Sequence, residues 1–234
     1  MSYVEVPLKP LSRALRLTLP LAFIAGIVDV VGFVALFGLF TSHFTGNFVV
    51  MGEEIVTQSL RLIAELIAIP VFLLVVAASH FVALSYGSKG TSAFRALLLI
   101  QALLLAACMA TGIAASPITD PANPGSILTA QLGVAAMAVQ NACGRIFFPG
   151  HPSTTVMTIN TTQAAIDFVD MQRGVPGVSD TARERFEHTA PIVLAFIGGV
   201  IGGAYGYLFF SFWCLAIPVA GLIAIGATIP RVNR

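Results

Sequence analysis

Long, uncharged apolar stretches constrain this chain more than any other feature of its sequence. A membrane-spanning helix needs about 20 mostly apolar residues. Only 10% of the residues are charged, against roughly a quarter in a soluble domain, so there is too little charge for a surface that faces water on all sides. The sequence therefore predicts an all-α, polytopic transmembrane helical bundle. Its six predicted spans are Leu17–Phe40, Leu60–Tyr86, Ala93–Ala115, Ile127–Phe148, Ala190–Phe210 and Phe212–Ile229.

Basic residues occur in alternate connections between these spans. The connection Ser116–Ser126 contains no Lys or Arg, and Glu53–Arg61 contains only Arg61. Because cytoplasmic loops of membrane proteins are enriched in Lys and Arg, we expect both termini in the cytoplasm. Six spans and two cytoplasmic ends agree with each other. The basic residues in question are Lys9, Arg13, Arg16, Lys89, Arg95, Arg173, Arg183, Arg185, Arg231 and Arg234.

Two polar segments interrupt the apolar pattern, Thr41–Thr57 and Pro149–Arg173. Both are rich in Thr and Asn and are too short or too polar to span a membrane. We predict that each is a re-entrant or half-helix element, with short helices at Phe48–Val56 and Gln163–Met171. The alternative is that both are ordinary interfacial loops.

The two polar segments also resemble each other. TSHFTGN (Thr41–Asn47) aligns with TTVMTIN (Thr154–Asn160) at a constant offset in residue number, and Glu54 and Asp167 keep that offset. Each copy follows the first span of a three-span unit, and a second unit with an odd number of spans enters the membrane the opposite way. An inverted 3+3 repeat within one domain, 1–234, is therefore predicted, and this is the pattern that points to a transporter-type site. Repeat one covers about 11–116 and repeat two about 126–230.

Polar residues lie at matching places in the first and fourth spans. Asp29 is near the middle of span one, and Gln140 and Asn141 are near the middle of span four. An intramembrane carboxylate costs about 2.5–3.5 kcal/mol on insertion scales, so Asp29 should face the bundle interior. We expect it to be protonated or paired with Arg145, an Asn or a Thr. Such residues indicate a midplane binding or proton-coupling site, or else a buried hydrogen bond between helices.

The Thr and Asn side chains of the two polar segments precede the predicted short helices, where they would act as N-caps. A further possibility is that the two helix N-termini meet near the midplane and attract a small anion. His43 and His151 are expected to be loop histidines with satisfied hydrogen bonds. The predicted solute site comprises Asp29, His43, Thr45, Asn47, Gln140, Asn141, Thr155, Thr158 and Asn160.

Enzymatic and metal-binding motifs are not expected from this sequence. Cys108, Cys143 and Cys214 are far apart within apolar stretches, which indicates buried thiols and no zinc site. Ser42 and His43 are adjacent, but no third catalytic group stands at a suitable spacing. Net charge is +1, so nucleic acid is not an expected partner. We therefore predict no catalytic residues, no metal and no cofactor.

The residues around Asp29 and Asn47 resemble the YoaK family of bacterial membrane proteins, a domain of unknown function. The likeness rests on FIAGIVDVVGF (Phe23–Phe33), HFTGN (His43–Asn47) and AVQNA (Ala138–Ala142), together with the Thr-rich run that ends at Asn160. One departure is Ile159-Asn160, where the family more often has a Gly-Thr type pair. The resemblance implies a multi-pass protein of the bacterial cytoplasmic (inner) membrane and names no substrate.

These patterns favour a small secondary transporter or channel for a small polar or anionic solute. The alternatives are a membrane scaffold or a subunit of a complex and, less favoured, an intramembrane enzyme. The expected partners are the lipid bilayer and the solute. Five glycines between Gly198 and Gly206 predict close helix packing, inside the bundle or across a homodimer.

Overall fold

The computed structural model describes residues 11–58, 61–87, 90–175 and 177–229, and all regular structure within these ranges is helical. This confirms the all-α prediction. The helices are α1 (Leu11–Ala35), α2 (Phe44–Thr57), α3 (Leu62–Ser85), α4 (Gly90–Ala115), α5 (Pro124–Phe147), α6 (Met157–Arg173), α7 (Val178–Phe210) and α8 (Ala216–Thr228), with a 3₁₀ helix at Ser211–Leu215 between the last two.

Five helical stretches in the described ranges are long and apolar enough to cross a membrane: Ala14–Ala35, Leu62–Ser85, Gly90–Ala115, Pro124–Phe147 and Val178–Thr228. The first four correspond to the first four predicted spans. The fifth is 51 residues long and contains both remaining predicted spans. A straight helix of that length would measure about 77 Å, far more than the hydrocarbon core of about 30 Å. It is broken at Ser211, where φ is 50° and ψ is −143°.

The glycine-rich part of α7 packs directly against α1. A Cβ atom on Gly199 would lie 2.1 Å from the carbonyl oxygen of Phe23, and one on Gly26 would lie 2.2 Å from that of Phe196. Both positions therefore need glycine, because a side chain would collide with backbone of the opposite helix. The close packing predicted for these glycines is present inside the bundle.

Helices of the first half of the chain pack against helices of the second half. α1 packs mainly against α7, whereas α5 packs against α3 and α4. If α1–α4 and α5–α8 are taken as halves, the first helix of each half contacts the third helix of the other half. α5 begins in a well-capped turn, since Asn123 Oδ1 accepts a hydrogen bond from the Gly125 N–H at 2.8 Å and Pro124 occupies the first helical position.

The three cysteines are buried free thiols, as predicted. The orientation prediction rests partly on Lys9, Lys89, Arg231 and Arg234, which lie outside the described residues. For these four residues, the sequence alone supports the orientation prediction.

Candidate functional site

The two polar segments form short helices that begin at matching positions. α2 begins at Phe44 and α6 at Met157, and these two residues are separated by the same offset as Asn47 and Asn160. Both helices are longer than the predicted Phe48–Val56 and Gln163–Met171, so the predicted starting points were wrong. Each helix follows a loop that connects it to the preceding long helix.

The predicted N-cap role of the Thr and Asn side chains is also wrong, because these residues lie in the first turn of the helices. The actual capping positions are His43 and Val156, and neither makes a side-chain capping hydrogen bond. The Thr side chains are exposed and the Asn side chains are buried. The four residues are Thr45, Asn47, Thr158 and Asn160.

Asn47 and Asn160 close the loops that precede the short helices. The Asn47 Oδ1 accepts from the Phe40 N–H at 2.8 Å, and its Nδ2 donates to the Phe40 carbonyl oxygen at 2.7 Å. The Asn160 Nδ2 donates to the Ser153 carbonyl oxygen at 2.7 Å. Phe40 and Ser153 each lie seven residues before the asparagine, so a similar loop-closing hydrogen bond occurs at both places.

Asp29 is buried in α1 and holds the loop before α2. Its Oδ1 accepts from the Ser42 N–H at 2.8 Å and from the Thr41 hydroxyl at 3.3 Å. Its Oδ2 lies 2.5 Å from His43 Nδ1. A Thr was one of the expected partners of Asp29, whereas Arg145 is not among the partners found. The carboxylate is therefore satisfied within the first polar element.

His43 is positioned by Asp29 on one side and by α7 on the other. The hydrogen bond to Asp29 raises the pKa of His43 above its usual value, although burial acts in the opposite direction. The imidazole ring also contacts the ring of Phe196 edge-on, with centroids 5.5 Å apart. This histidine consequently links α1, the loop and α7.

Asn141 occupies in α5 the place that Asp29 occupies in α1. Each lies six residues before the end of its helix (147 − 141 and 35 − 29). The Asn141 Oδ1 accepts from the Thr155 hydroxyl at 2.7 Å, and its Nδ2 donates to the Met137 carbonyl oxygen at 3.0 Å. The second polar element is thus held by a neutral amide where the first is held by a carboxylate.

A buried amide network extends from this second cluster into the bundle. Gln140 Nε2 donates to the Leu21 carbonyl oxygen at 2.8 Å and to the Thr154 hydroxyl at 3.1 Å. Gln101 Nε2 in turn donates to Gln140 Oε1 at 2.8 Å. Gln140 therefore ties α5 to α1, to α4 and to the loop before α6.

A cavity of about 680 Å³ lies against the second polar element, between α5, α6 and α7. Of the nine predicted site residues, it brings together Gln140, Asn141, Thr155 and Asn160. The other five do not line it. These are Asp29, His43, Thr45, Asn47 and Thr158.

Arginine and histidine side chains make the cavity wall predominantly basic. Arg145 is exposed there and has no hydrogen-bond or ion-pair partner within the described residues. Arg185 also reaches the wall, but it donates to Asp167 Oδ1 through Nη2 at 2.6 Å. His151, His188 and the carboxylate of Glu184 complete the ionisable lining. Arg145 is hence the cation available to an anionic ligand.

The two polar clusters are separated along α7. Thr189 lines the cavity, whereas Phe196, seven residues later, contacts His43. Seven residues of α-helix rise about 10 Å. The Asp29–His43 cluster and the cavity thus lie at different levels along α7, the helix that both of them contact.

Sequence reasoning passed over several residues that build this region. Gln101 gave a signal, since it is the one amide in the apolar span Ala93–Ala115. Arg145 and Thr154 were noted for other reasons, as an expected partner of Asp29 and as a member of the repeat. Arg185 gave no such signal, because it stands among other charged residues between the fourth and fifth predicted spans.

The comparisons agree with the resemblance found in the sequence. Residues 17–228 match a family described as a protein of unknown function, DUF1275. The chain belongs to this family. No curated protein and no solved structure matches it. Membership fits a membrane protein with several apolar helices and assigns no activity.

Proposed function

We propose that this protein is a small secondary transporter or channel for a small polar or anionic solute that binds beside Asn141. The observation that carries the proposal is the cavity, which combines neutral amide and hydroxyl groups with Arg145, whose side chain has no partner among the residues that the structure describes. Its volume, about 680 Å³, falls within the range of about 300–1,000 Å³ typical of ligand sites. Arg145 would pair with the charge of the solute, and Asn141 and Gln163 would orient it.

An inverted 3+3 repeat with six membrane crossings is part of this proposal. It is supported by the matching starts of α2 and α6, the shared loop-closing hydrogen bonds of Asn47 and Asn160, and the reciprocal packing of α1 on α7 and α5 on α3. The break at Ser211 would separate the fifth crossing from the sixth. Repeats of this kind place substrate sites at discontinuous helices.

We place the protein in the bacterial cytoplasmic membrane with both termini in the cytoplasm. The support is the alternation of basic and non-basic connections, including Arg173 and Arg183 near the start of α7. In this orientation the cavity faces the cytoplasm and the Asp29 cluster lies towards the outer side. In a homodimer, the second subunit would cover more of the cavity.

Catalysis is not part of the proposal, although Ser42, His43 and Asp29 come together as a nucleophile, a base and an acid would. A hydrolytic triad uses the two ring nitrogens separately, one towards the nucleophile and one towards the carboxylate. Here Ser42 Oγ lies 3.4 Å and Asp29 Oδ2 lies 2.5 Å from the same atom, His43 Nδ1. His43 therefore cannot act as the base towards Ser42 through one ring nitrogen while Asp29 holds the other, as a triad requires.

Thermal unfolding of the detergent-purified protein tests for the solute. The panel is phosphate, sulfate, small carboxylates, amino acids, sugars and nucleobases. We expect one class to raise Tm saturably, with the rise lost in Asn141→Ala and, for an anion, in Arg145→Gln. Thr45→Ala, which is exposed and lies outside the cavity, is the matched control.

Uptake of the stabilising compound into liposomes containing the protein then tests transport. Flux above that of empty liposomes, reduced in Asn141→Ala, is the expected result. Binding without flux would favour the scaffold or subunit role. A rise in Tm that both cavity variants retain would place the ligand elsewhere.

A further inference from the structure

Four buried oxygen atoms occur where α2 ends and α3 begins, and none of them has a hydrogen-bond partner within the described residues. They are Oε1 and Oε2 of Glu54, Oε2 of Glu65 and Oε1 of Gln131. Glu54 is completely buried and Glu65 is 3% exposed. Gln131 belongs to the same place because its Nε2 donates to the carbonyl oxygen of Ala64, the residue before Glu65, at 3.0 Å.

The equivalent position in the second half has a cation as its partner. Asp167 is the repeat counterpart of Glu54 and is equally buried. Its Oδ1 accepts hydrogen bonds from Arg185 at 2.6 Å and from Gln163 at 2.9 Å. By contrast, α3 (Leu62–Ser85) contains no Lys or Arg that could pair with Glu54. Glu54 accordingly lacks the cation that its counterpart has.

The nearby charges leave this group of carboxylates one positive charge short. Glu65 lies within electrostatic range of Glu54. Burial is the largest cause of the raised pKa of Glu54; the charge of Arg61 lowers this pKa and the charge of Glu53 raises it. Glu53 itself is exposed to solvent. The two buried carboxylates and Arg61 therefore sum to a net charge of −1.

The helices that pack against α3 supply no further charge at this end. On α4, Arg95 lies near the opposite end of the helix, and the Cys108 thiol is hydrogen-bonded to the Thr129 carbonyl oxygen. On α5, Arg145 and Cys143 lie near its far end, about 18–21 Å along the axis from Gln131. Gln131 does not ionise. The deficit at Glu54 and Glu65 is thus local.

We propose that Glu54, Glu65 and Gln131 form a binding site for one monovalent cation, either H⁺ or Na⁺. All four unpartnered atoms are acceptors. A bound cation would satisfy them and would also supply the positive charge that the two buried carboxylates lack. Carboxylate and amide oxygens are hard ligands suited to a small hard cation. None of the three residues lines the solute cavity. The cation site can therefore be tested separately from solute binding.

Thermal unfolding of the full-length protein separates the two cations. If Na⁺ binds, Tm rises saturably when NaCl replaces choline chloride at constant ionic strength. Glu54→Gln and Glu65→Gln should each weaken this response more than about tenfold, since even outer-shell partners of metal sites carry that much affinity. If H⁺ binds, Tm is independent of Na⁺ and falls as the pH rises between about pH 5 and pH 9, the range in which buried Glu residues titrate.

The sign of the proton response follows from the raised pKa of Glu54. A carboxyl group that holds its proton more tightly when folded stabilises the protein at low pH, and the stabilisation is lost as the pH rises through the folded pKa. Each Gln variant should remove that slope and be the more stable protein at high pH. Glu53→Gln, on the exposed face of α2, is the control that should keep both the Na⁺ response and the slope against pH. Its slope should lie at slightly lower pH, because the charge of Glu53 raises the pKa of Glu54.

Infrared spectroscopy provides a readout that does not depend on stability. A protonated carboxyl band that is present in the wild type and absent in Glu54→Gln supports H⁺, and a carboxylate band shifted by Na⁺ supports Na⁺. The proposal is overturned if Glu54→Gln and Glu65→Gln respond to pH and to Na⁺ as the wild type does, or if only divalent cations act.

Discussion

The two polar elements share one backbone frame but use different chemistry to hold it. In the first, the carboxylate of Asp29 accepts from Ser42 and His43; in the second, the neutral amide of Asn141 accepts from Thr155. Only the second has its anchoring side chain in the wall of the large cavity. The frame is hence set by the loop-closing asparagines, and the anchoring side chain decides whether the element is a sealed ionisable cluster or an open neutral site.

Removing the two anchors should give the largest difference between the elements. Asp29→Ala leaves the buried Ser42 N–H and the Thr41 hydroxyl without an acceptor, and we expect it to lower the free energy of unfolding by about 2–4 kcal/mol. Asn141→Ala should cost about 1 kcal/mol, because water in the cavity can bond to Thr155. Unfolding in mixed detergent micelles measures both. Equal costs would show that the cavity does not distinguish the two anchors.

The loop-closing asparagines test whether the shared frame is real. Asn160→Ala removes one hydrogen bond to a loop carbonyl and should cost about 1 kcal/mol. Asn47→Ala removes two, to the N–H and the carbonyl of Phe40, and should cost about 2–3 kcal/mol. The same unfolding assay applies. If either alanine variant is as stable as the wild type, the asparagine it replaces does not stabilise the loop.

The pH dependence of stability should distinguish the charged element from the neutral one. Because Asp29 raises the pKa of His43, the protonated pair stabilises the fold below about pH 6.5, the ordinary value for His. This contribution is lost as the pH rises through the raised pKa. We expect His43→Gln to remove this part of the slope of Tm against pH. If the slope of Tm against pH is the same in His43→Gln as in the wild type, other titratable groups cause it.

The smallest effects are expected at the paired threonines of the two first turns. Thr45 and Thr158 are both exposed, and their side chains make no hydrogen bond within the described residues. Replacing either by Ala should change the free energy of unfolding by no more than about 0.5 kcal/mol. A larger loss at one of them in a lipid environment would reveal a contact that the isolated chain does not make.

Much of the fold could be predicted because apolar length is a property of the sequence alone. Leu62–Ser85 and Pro124–Phe147, for example, correspond closely to predicted spans. The constant offset between Asn47 and Asn160 was also visible. Their predicted role as caps failed because N-capping was inferred from residue type, whereas both side chains bond to the loop seven residues back.

Tertiary partners explain the rest of what the sequence did not reveal. Gln101 and Gln140 are 39 residues apart and meet only when α4 packs against α5. The pairing of Arg185 with Asp167 likewise depends on α6 folding back along α7. No local pattern encodes such pairs. The contrast between a paired Asp167 and an unpaired Glu54 is therefore visible only in three dimensions.

The central claim is that the two short helices have an inverted arrangement in the membrane. The most direct test is to determine on which side of the membrane each short helix ends. Gln58 and Gln172, at the C-terminal ends of α2 and α6, are both exposed, and the native thiols are buried. We would introduce Gln58→Cys and Gln172→Cys separately and label intact cells with a membrane-impermeant maleimide. An inverted repeat predicts that the Gln58→Cys variant is labelled from outside and the Gln172→Cys variant only after the membrane is opened. Labelling of both from the same side would contradict the inverted arrangement and the transporter proposal built on it.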